Sequence, residues 1–110
     1  WRYAEEVALT DRWFEAVKRA AGLDYQFGVQ TAECADLVKG YSNTYRRGVR
    51  NFDLVFREIV EPAIAAKIPV ADLVQGARKA ALSDPEGEAL DVFLNANVRQ
   101  PAPHTIAKIA

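Results

Sequence analysis

The sequence contains no methionine, one cysteine and one histidine among its 110 residues. A single cysteine, Cys34, excludes an internal disulfide and a metal site built from several cysteines. A single histidine, His104, excludes a site that needs two histidines. No apolar run approaches the roughly 20 residues of a membrane-spanning helix, and no signal-peptide pattern opens the chain. These absences favour a cytoplasmic protein with no metal site and no cofactor of its own.

A chain that starts at Trp1 and lacks methionine is expected to be a piece of a longer polypeptide, so its function can belong to the parent. Its length suits one domain with a single core. The net charge of −1 argues against nucleic acid or an anionic membrane as partners. The charge is uneven, because the stretch from Leu37 to Arg57 holds five cations and one acid.

Helical periodicity covers most of the chain. From Tyr3 to Ala21, two neighbouring apolar stripes predict a helix packed between two others. Leu23 to Gln30 is expected to be a connection. From Thr31 onward the apolar positions predict one long helix with a bend or a protruding end, its weak points at Gly40, Ser42-Asn43 and Gly48. The steps of four and three run through Cys34, Val38, Tyr41, Tyr45, Gly48, Phe52, Val55 and Ile59.

Prolines mark the later boundaries. Pro62 is expected to disturb the helix or to start a new turn at its own position. Ile68-Pro69 is expected to end the helix before a third helix from Val70 to Leu82. Asp84-Pro85-Glu86 resembles a helix start, with the fourth helix running to about Asn95. The sequence therefore predicts an all-α antiparallel bundle of about four helices over residues 1–97, and an irregular tail over residues 98–110.

The stretch from Leu37 to Phe52, LVKGYSNTYRRGVRNF, concentrates the unusual residues. Its cations could bind a phosphate or a carboxylate-rich partner, although a run of charges more often forms a solvated helix face. The Ser-Asn-Thr triplet could instead restart a helix with Thr44 as its cap. Because the apolar positions are expected to be buried, any ligand or partner site is confined to the other side of the stretch: Lys39, Asn43, Arg46, Arg47 and Arg50.

No catalytic constellation is visible in the sequence. Cys34 falls on the apolar stripe, far in sequence from His104, and is predicted to be a buried small residue and not a nucleophile. The two glycines of the stretch, Gly40 and Gly48, do not have the spacing of a phosphate loop, so tight packing is the favoured interpretation.

The same stretch resembles the C-terminal helical region of bacterial indolepyruvate ferredoxin oxidoreductase beta-subunit proteins, whose pattern is L-V-K-G-Y-G-D-T-H-x-R-G-x-x-N-F. Ser42, Asn43 and Tyr45 depart from the Gly, Asp and His of that pattern. The flanking segments from Arg2 to Glu6 and from Ala81 to Leu90 are also similar, so the resemblance covers about residues 1 to 95. The matching positions are Leu37, Val38, Lys39, Gly40, Tyr41, Thr44, Arg47, Gly48, Asn51 and Phe52.

The resemblance implies a parent enzyme that oxidises aryl pyruvates to acyl-CoA with ferredoxin as electron acceptor. Thiamine diphosphate and iron–sulfur clusters would be held elsewhere in that parent. The chain would then be an accessory, non-catalytic helical domain that packs against the catalytic part or a partner subunit. Two alternatives remain: a small-ligand element that binds CoA or a carboxylate through Lys39, Arg47 and Arg50, and an autonomous regulatory or homodimerisation module.

Overall fold

A computed structural model describes residues 2–99 of the chain. Those residues form helices and no strand, which confirms the predicted all-α bundle. The α-helices are α1 (Arg2–Leu23), α2 (Tyr25–Glu33), α3 (Ser42–Val55), α4 (Glu61–Ala66), α5 (Ala71–Ser83) and α6 (Glu88–Leu94). A 3₁₀ turn (Cys34–Leu37) follows α2, and π-helical turns follow α3 (Phe56–Val60) and α6 (Asn95–Arg99).

One long helix is present, as predicted, but it begins later in the chain. The helix α3, the π-helical turn and α4 follow one another without interruption over 25 residues. Pro62 lies inside this helix and does not end it. The π-helical turn lies just before Pro62. In a regular α-helix the proline ring would clash with a carbonyl of the preceding turn, and its missing N–H would remove a backbone hydrogen bond.

The prediction of unbroken helix from Thr31 into this long helix was wrong between residues 38 and 41. Gly40 has a φ of +83° and Ser42 a φ of +53°, both outside the right-handed helical region. Tyr41, predicted to be buried, is 80% exposed. The helix does restart, from Ser42, but the cap position is occupied by Tyr41 and not by Thr44. Gly40 and Ser42 were predicted weak points, and here they interrupt the helix completely.

The predicted connection from Leu23 to Gln30 is mostly helix. Asp24 caps the N-terminus of α2, because its side chain accepts a hydrogen bond of 2.9 Å from the backbone N–H of Phe27. Phe27 is fully buried in the core, whereas Tyr25 is 75% exposed. The cap places α2 directly after α1, and these two helices share the most extensive contact in the fold.

The boundaries of the last helices lie close to the predicted ones. Lys67 adopts a left-handed conformation and ends α4 just before Ile68-Pro69. The helix α6 begins at Glu88, later than predicted, because residues 85–87 form a turn. The carboxylate of Asp84 accepts hydrogen bonds from the backbone N–H groups of Glu86 and Ala89. Of the predicted tail, Val98 and Arg99 are helical, and residues 100–110 lie outside the described residues.

The core lies between the long helix and the helices packed on its sides. The fully buried side chains include Phe52, Phe56, Ile59, Val74, Leu90 and Leu94. The rings of Phe52 and Phe56 stack with centroids 4.1 Å apart. Within residues 2–99, no helix is both long enough and apolar enough to cross a membrane.

Candidate functional site: a groove beside residues 38–41

A groove of about 520 Å³ lies between α1 and the segment 38–41. Its α1 wall is formed by Glu6, Leu9, Thr10 and Trp13, and its other wall by Ala35, Val38, Lys39, Gly40, Tyr41, Tyr45 and Phe52. Most of these side chains are apolar or aromatic. The unusual stretch of the sequence therefore forms one side of this groove.

Gly48 allows the groove to form by letting two segments of backbone meet. A Cβ atom at this position would overlap the carbonyl oxygen of Leu37 and lie 3.3 Å from the Cα of Val38. Gly48 is thus the point where the 3₁₀ turn and the segment 38–41 fold back onto α3. This confirms the interpretation of Gly48 as a packing glycine, with the backbone of residues 37–38 as its neighbour.

Two polar groups of the α1 wall already have partners inside the protein. The indole Nε1 of Trp13 donates a hydrogen bond of 3.0 Å to the carbonyl oxygen of Ala32, which holds the ring against α2. The hydroxyl of Thr10 donates to the carbonyl oxygen of Glu6 at 2.8 Å. The wall consequently offers the groove mainly apolar surface.

The five predicted site residues do not converge on one ligand. Lys39 lines the groove, whereas Arg47 lies 3.1 Å from Glu86 and Arg50 lies 3.3 Å from Asp91, both on the opposite side near α6. Asn43 and Arg46 are exposed and make no side-chain hydrogen bond or ion pair with the described residues. A role for the five residues in binding stays a prediction, and of the five Lys39 alone lines this groove.

Asn51 fixes the turn before α6, a role that the sequence did not reveal. It is 3% exposed and donates a hydrogen bond of 3.3 Å from Nδ2 to the carbonyl oxygen of Pro85. Gly87, with a φ of +97°, lies directly against the side chains of Arg50 and Asn51. The end of the stretch therefore holds residues 84–87 in place by polar contacts.

Arg12 attaches α1 to the long helix, a role that the sequence did not predict. Its guanidinium donates two hydrogen bonds to Glu61, of 2.7 and 2.9 Å, and one of 3.0 Å to Asp53. It also lies 5.7 Å from the ring centroid of Phe56. The hydrogen bond with Glu61 raises the pKa of Arg12 above its ordinary value, more than burial lowers it. No sequence signal links residues that are 41 and 49 positions apart.

The described residues contain no group of three or more His, Cys, Asp or Glu side chains placed to hold a metal ion. His104 lies outside them. Cys34 is fully buried, as predicted, and its thiol lies 3.4 Å from the carbonyl oxygen of Gln30. Burial raises the pKa of Cys34 from 9.0 to about 12.

This shifted pKa predicts a measurable loss of stability at high pH. Above about pH 9 the thiol ionises in the unfolded chain and stays protonated in the folded one, so the free energy of unfolding falls as the pH rises. Between pH 8 and pH 10 the loss from this group should be about 1.4 kcal/mol. Urea unfolding of the protein and of the Cys34→Ala variant at pH 8 and at pH 10 measures this loss of stability. Identical losses in the two proteins would show that the thiol is not the cause.

Together, the fold and the groove define the chain as an all-α domain with a groove between α1 and residues 38–41. Residues 1–58 match the model of a family of unknown function, DUF6537, and the chain belongs to that family. The matched segment contains every residue that lines the groove. No curated protein and no solved structure matches the chain.

Proposed function

We propose that the chain is an accessory, non-catalytic helical domain of a cytoplasmic 2-oxo acid ferredoxin oxidoreductase subunit, acting on indolepyruvate or another aryl pyruvate. In this proposal it packs against the catalytic part or a partner subunit, and the thiamine diphosphate and iron–sulfur clusters of the parent lie elsewhere. The support from sequence is the resemblance of Leu37 to Phe52 and its flanks to the helical region of that enzyme family.

The structural observation that carries the proposal is the exposed apolar stripe of α1. Tyr3, Val7 and Phe14 form this stripe at helical spacing and are 67%, 44% and 54% exposed. The sequence predicts α1 to be packed between two neighbours, and the described residues cover only its other side, through Ala16 and Ala20. Three exposed apolar side chains on one helix face support an interaction site there.

The stripe and the groove form one continuous surface. Thr10 lies on α1 between Val7 and Phe14, and it also lines the groove. Across the groove, Tyr41 presents a further aromatic side chain that is 80% exposed. A packing partner that covers the stripe would therefore also reach the stretch that carries the family resemblance.

Charge placed in the stripe should abolish this packing. We expect Val7→Glu to weaken association of the chain with the remainder of the subunit at least tenfold, because a buried carboxylate would lack a partner. Isothermal titration of the separately produced parts measures the affinity. The matched control is Val92→Glu on α6, where the side chain is 68% exposed. Equal affinities for Val7→Glu and the control would contradict the proposal.

A second candidate function is favoured by the size of the groove and by Lys39. A volume of about 520 Å³ lies within the range of small-ligand sites. Lys39 could then hold the anionic group of CoA or a carboxylate, while Arg47 and Arg50 already pair with acids of the protein. A saturable rise in melting temperature with CoA or a simple aryl carboxylate would favour this function. No shift is expected if the groove receives protein.

A further inference from the structure

We propose that the groove is the docking site of an amphipathic helix that carries an acidic residue opposite Lys39. This inference rests on the proposed function and states where the partner binds and what chemistry its contact surface has. It concerns the groove between α1 and residues 38–41, whereas the proposed function is carried by the apolar stripe of α1.

The length of the groove suits a helix. Its α1 wall runs from Glu6 to Trp13, seven positions along a helix, which is about 10 Å. An amphipathic helix bound in a groove uses anchors at i, i+3 or i+4, and i+7, and these anchors span the same distance. Two turns of a partner helix would therefore place three apolar side chains along the full length of the wall.

The α1 wall of the groove offers apolar contact through Leu9 and Trp13. Sites for small ligands combine apolar walls with a few polar groups that point at the ligand. Here the nitrogen of Trp13 and the hydroxyl of Thr10 already form hydrogen bonds within the protein. Leu9 and Val38 are half-buried and pack at the edge of the core, so they offer apolar contact and no direction-specific bond.

The charges at the rim specify the partner. Lys39 makes no ion pair with the described residues, in contrast to Arg12, Arg47, Arg50, Arg57 and Arg78, which all contact carboxylates. An acidic residue of the partner would be attracted by Lys39, which places it on the side of residues 38–41.

The test measures how well Lys39 is shielded in the complete subunit. The amine is acetylated with a water-soluble N-hydroxysuccinimidyl ester, and the modified fraction is quantified by mass spectrometry in the chain alone and in the full-length subunit. Lys79, an exposed lysine on α5 that does not line the groove, is the internal control. We expect acetylation of Lys39 to fall at least tenfold on assembly, with Lys79 unchanged.

Three variants and a cross-link complete the experiment. Lys39→Glu should weaken association at least tenfold, whereas Lys39→Arg and the control Lys79→Glu should leave it within twofold. A carbodiimide should join Lys39 to an Asp or Glu on a helix of the catalytic part or partner subunit.

The outcomes separate this inference from the proposed function. If the chain binds the remainder of the subunit through the stripe but Lys39 is acetylated equally in both states, the groove inference fails alone. A cross-link from Lys39 to a second copy of the chain would also overturn it. Absence of any association between the chain and the remainder contradicts the proposed function, and this inference falls with it.

Discussion

Replacing Phe52 with alanine is expected to lower the free energy of unfolding by about 3–5 kcal/mol. The ring is 2% exposed and stacks on Phe56 at a centroid distance of 4.1 Å, so its removal leaves a cavity beneath the groove and removes an aromatic pair. A domain of this size has only about 5–15 kcal/mol of total stability. Urea denaturation followed by circular dichroism measures the change.

Phe14→Ala is the matched control for this loss. The Phe14 ring is 54% exposed on α1, so the same change in side chain should alter the free energy of unfolding by no more than about 0.5 kcal/mol in the isolated chain. A loss below about 1.5 kcal/mol for Phe52→Ala would mean that Phe52 does not contribute to the core as described.

Gly48→Ala should be nearly as damaging although it adds a single methyl group. The new Cβ would overlap the carbonyl oxygen of Leu37, and backbone on both sides of the contact leaves little room to relax. We expect a loss of about 3 kcal/mol in the free energy of unfolding, because overpacking between two backbone segments forces one of them to move.

Gly22→Ala separates this clash from the general effect of placing alanine in a helix. Gly22 lies near the end of α1, and a Cβ atom there would have no atom within 4 Å among the described residues. The substitution should raise the free energy of unfolding by about 0.5–1 kcal/mol through helix propensity. If both alanine variants were more stable than the unsubstituted chain, the close approach at Gly48 would be refuted.

The fold was largely predictable because burial follows the helical period. Cys34, Tyr45, Phe52, Val55 and Ile59 were assigned to one buried stripe, and all five are buried. The helix boundaries at Ile68-Pro69 and near Asp84 follow from local chemistry, since proline and an acidic cap act within a few residues of themselves.

The path of the chain between Cys34 and Ser42 was not predictable from periodicity. A period of 3.5 residues indicates which side chains are buried. The same burial pattern fits one continuous helix and a 3₁₀ turn that folds back onto a second helix. The left-handed conformation of Gly40 and the contact of Gly48 with Leu37 decide between these shapes. That contact joins residues eleven positions apart, and it exists only in the folded protein.

The candidate site was only partly visible for the same reason. The stretch from Leu37 to Phe52 contributes residues to the groove, yet its basic residues are divided between two sides of the molecule. Arg47 and Arg50 meet acids of residues 86–91, contacts about 40 positions away in sequence. The groove needs α1 as its second wall, and no local pattern in the sequence shows which helix that will be.

The central claim is that the apolar stripe of α1 and the rim of the groove are covered by the remainder of a larger subunit. Hydroxyl-radical footprinting of the full-length subunit and of the chain alone tests it most directly, because it reports the exposure of individual aromatic side chains. The exposed rings of Tyr3, Phe14 and Tyr41 should become at least fivefold less reactive on assembly. Tyr25, which is 75% exposed on α2, should not change. Equal reactivity of all four rings in both samples would contradict the claim.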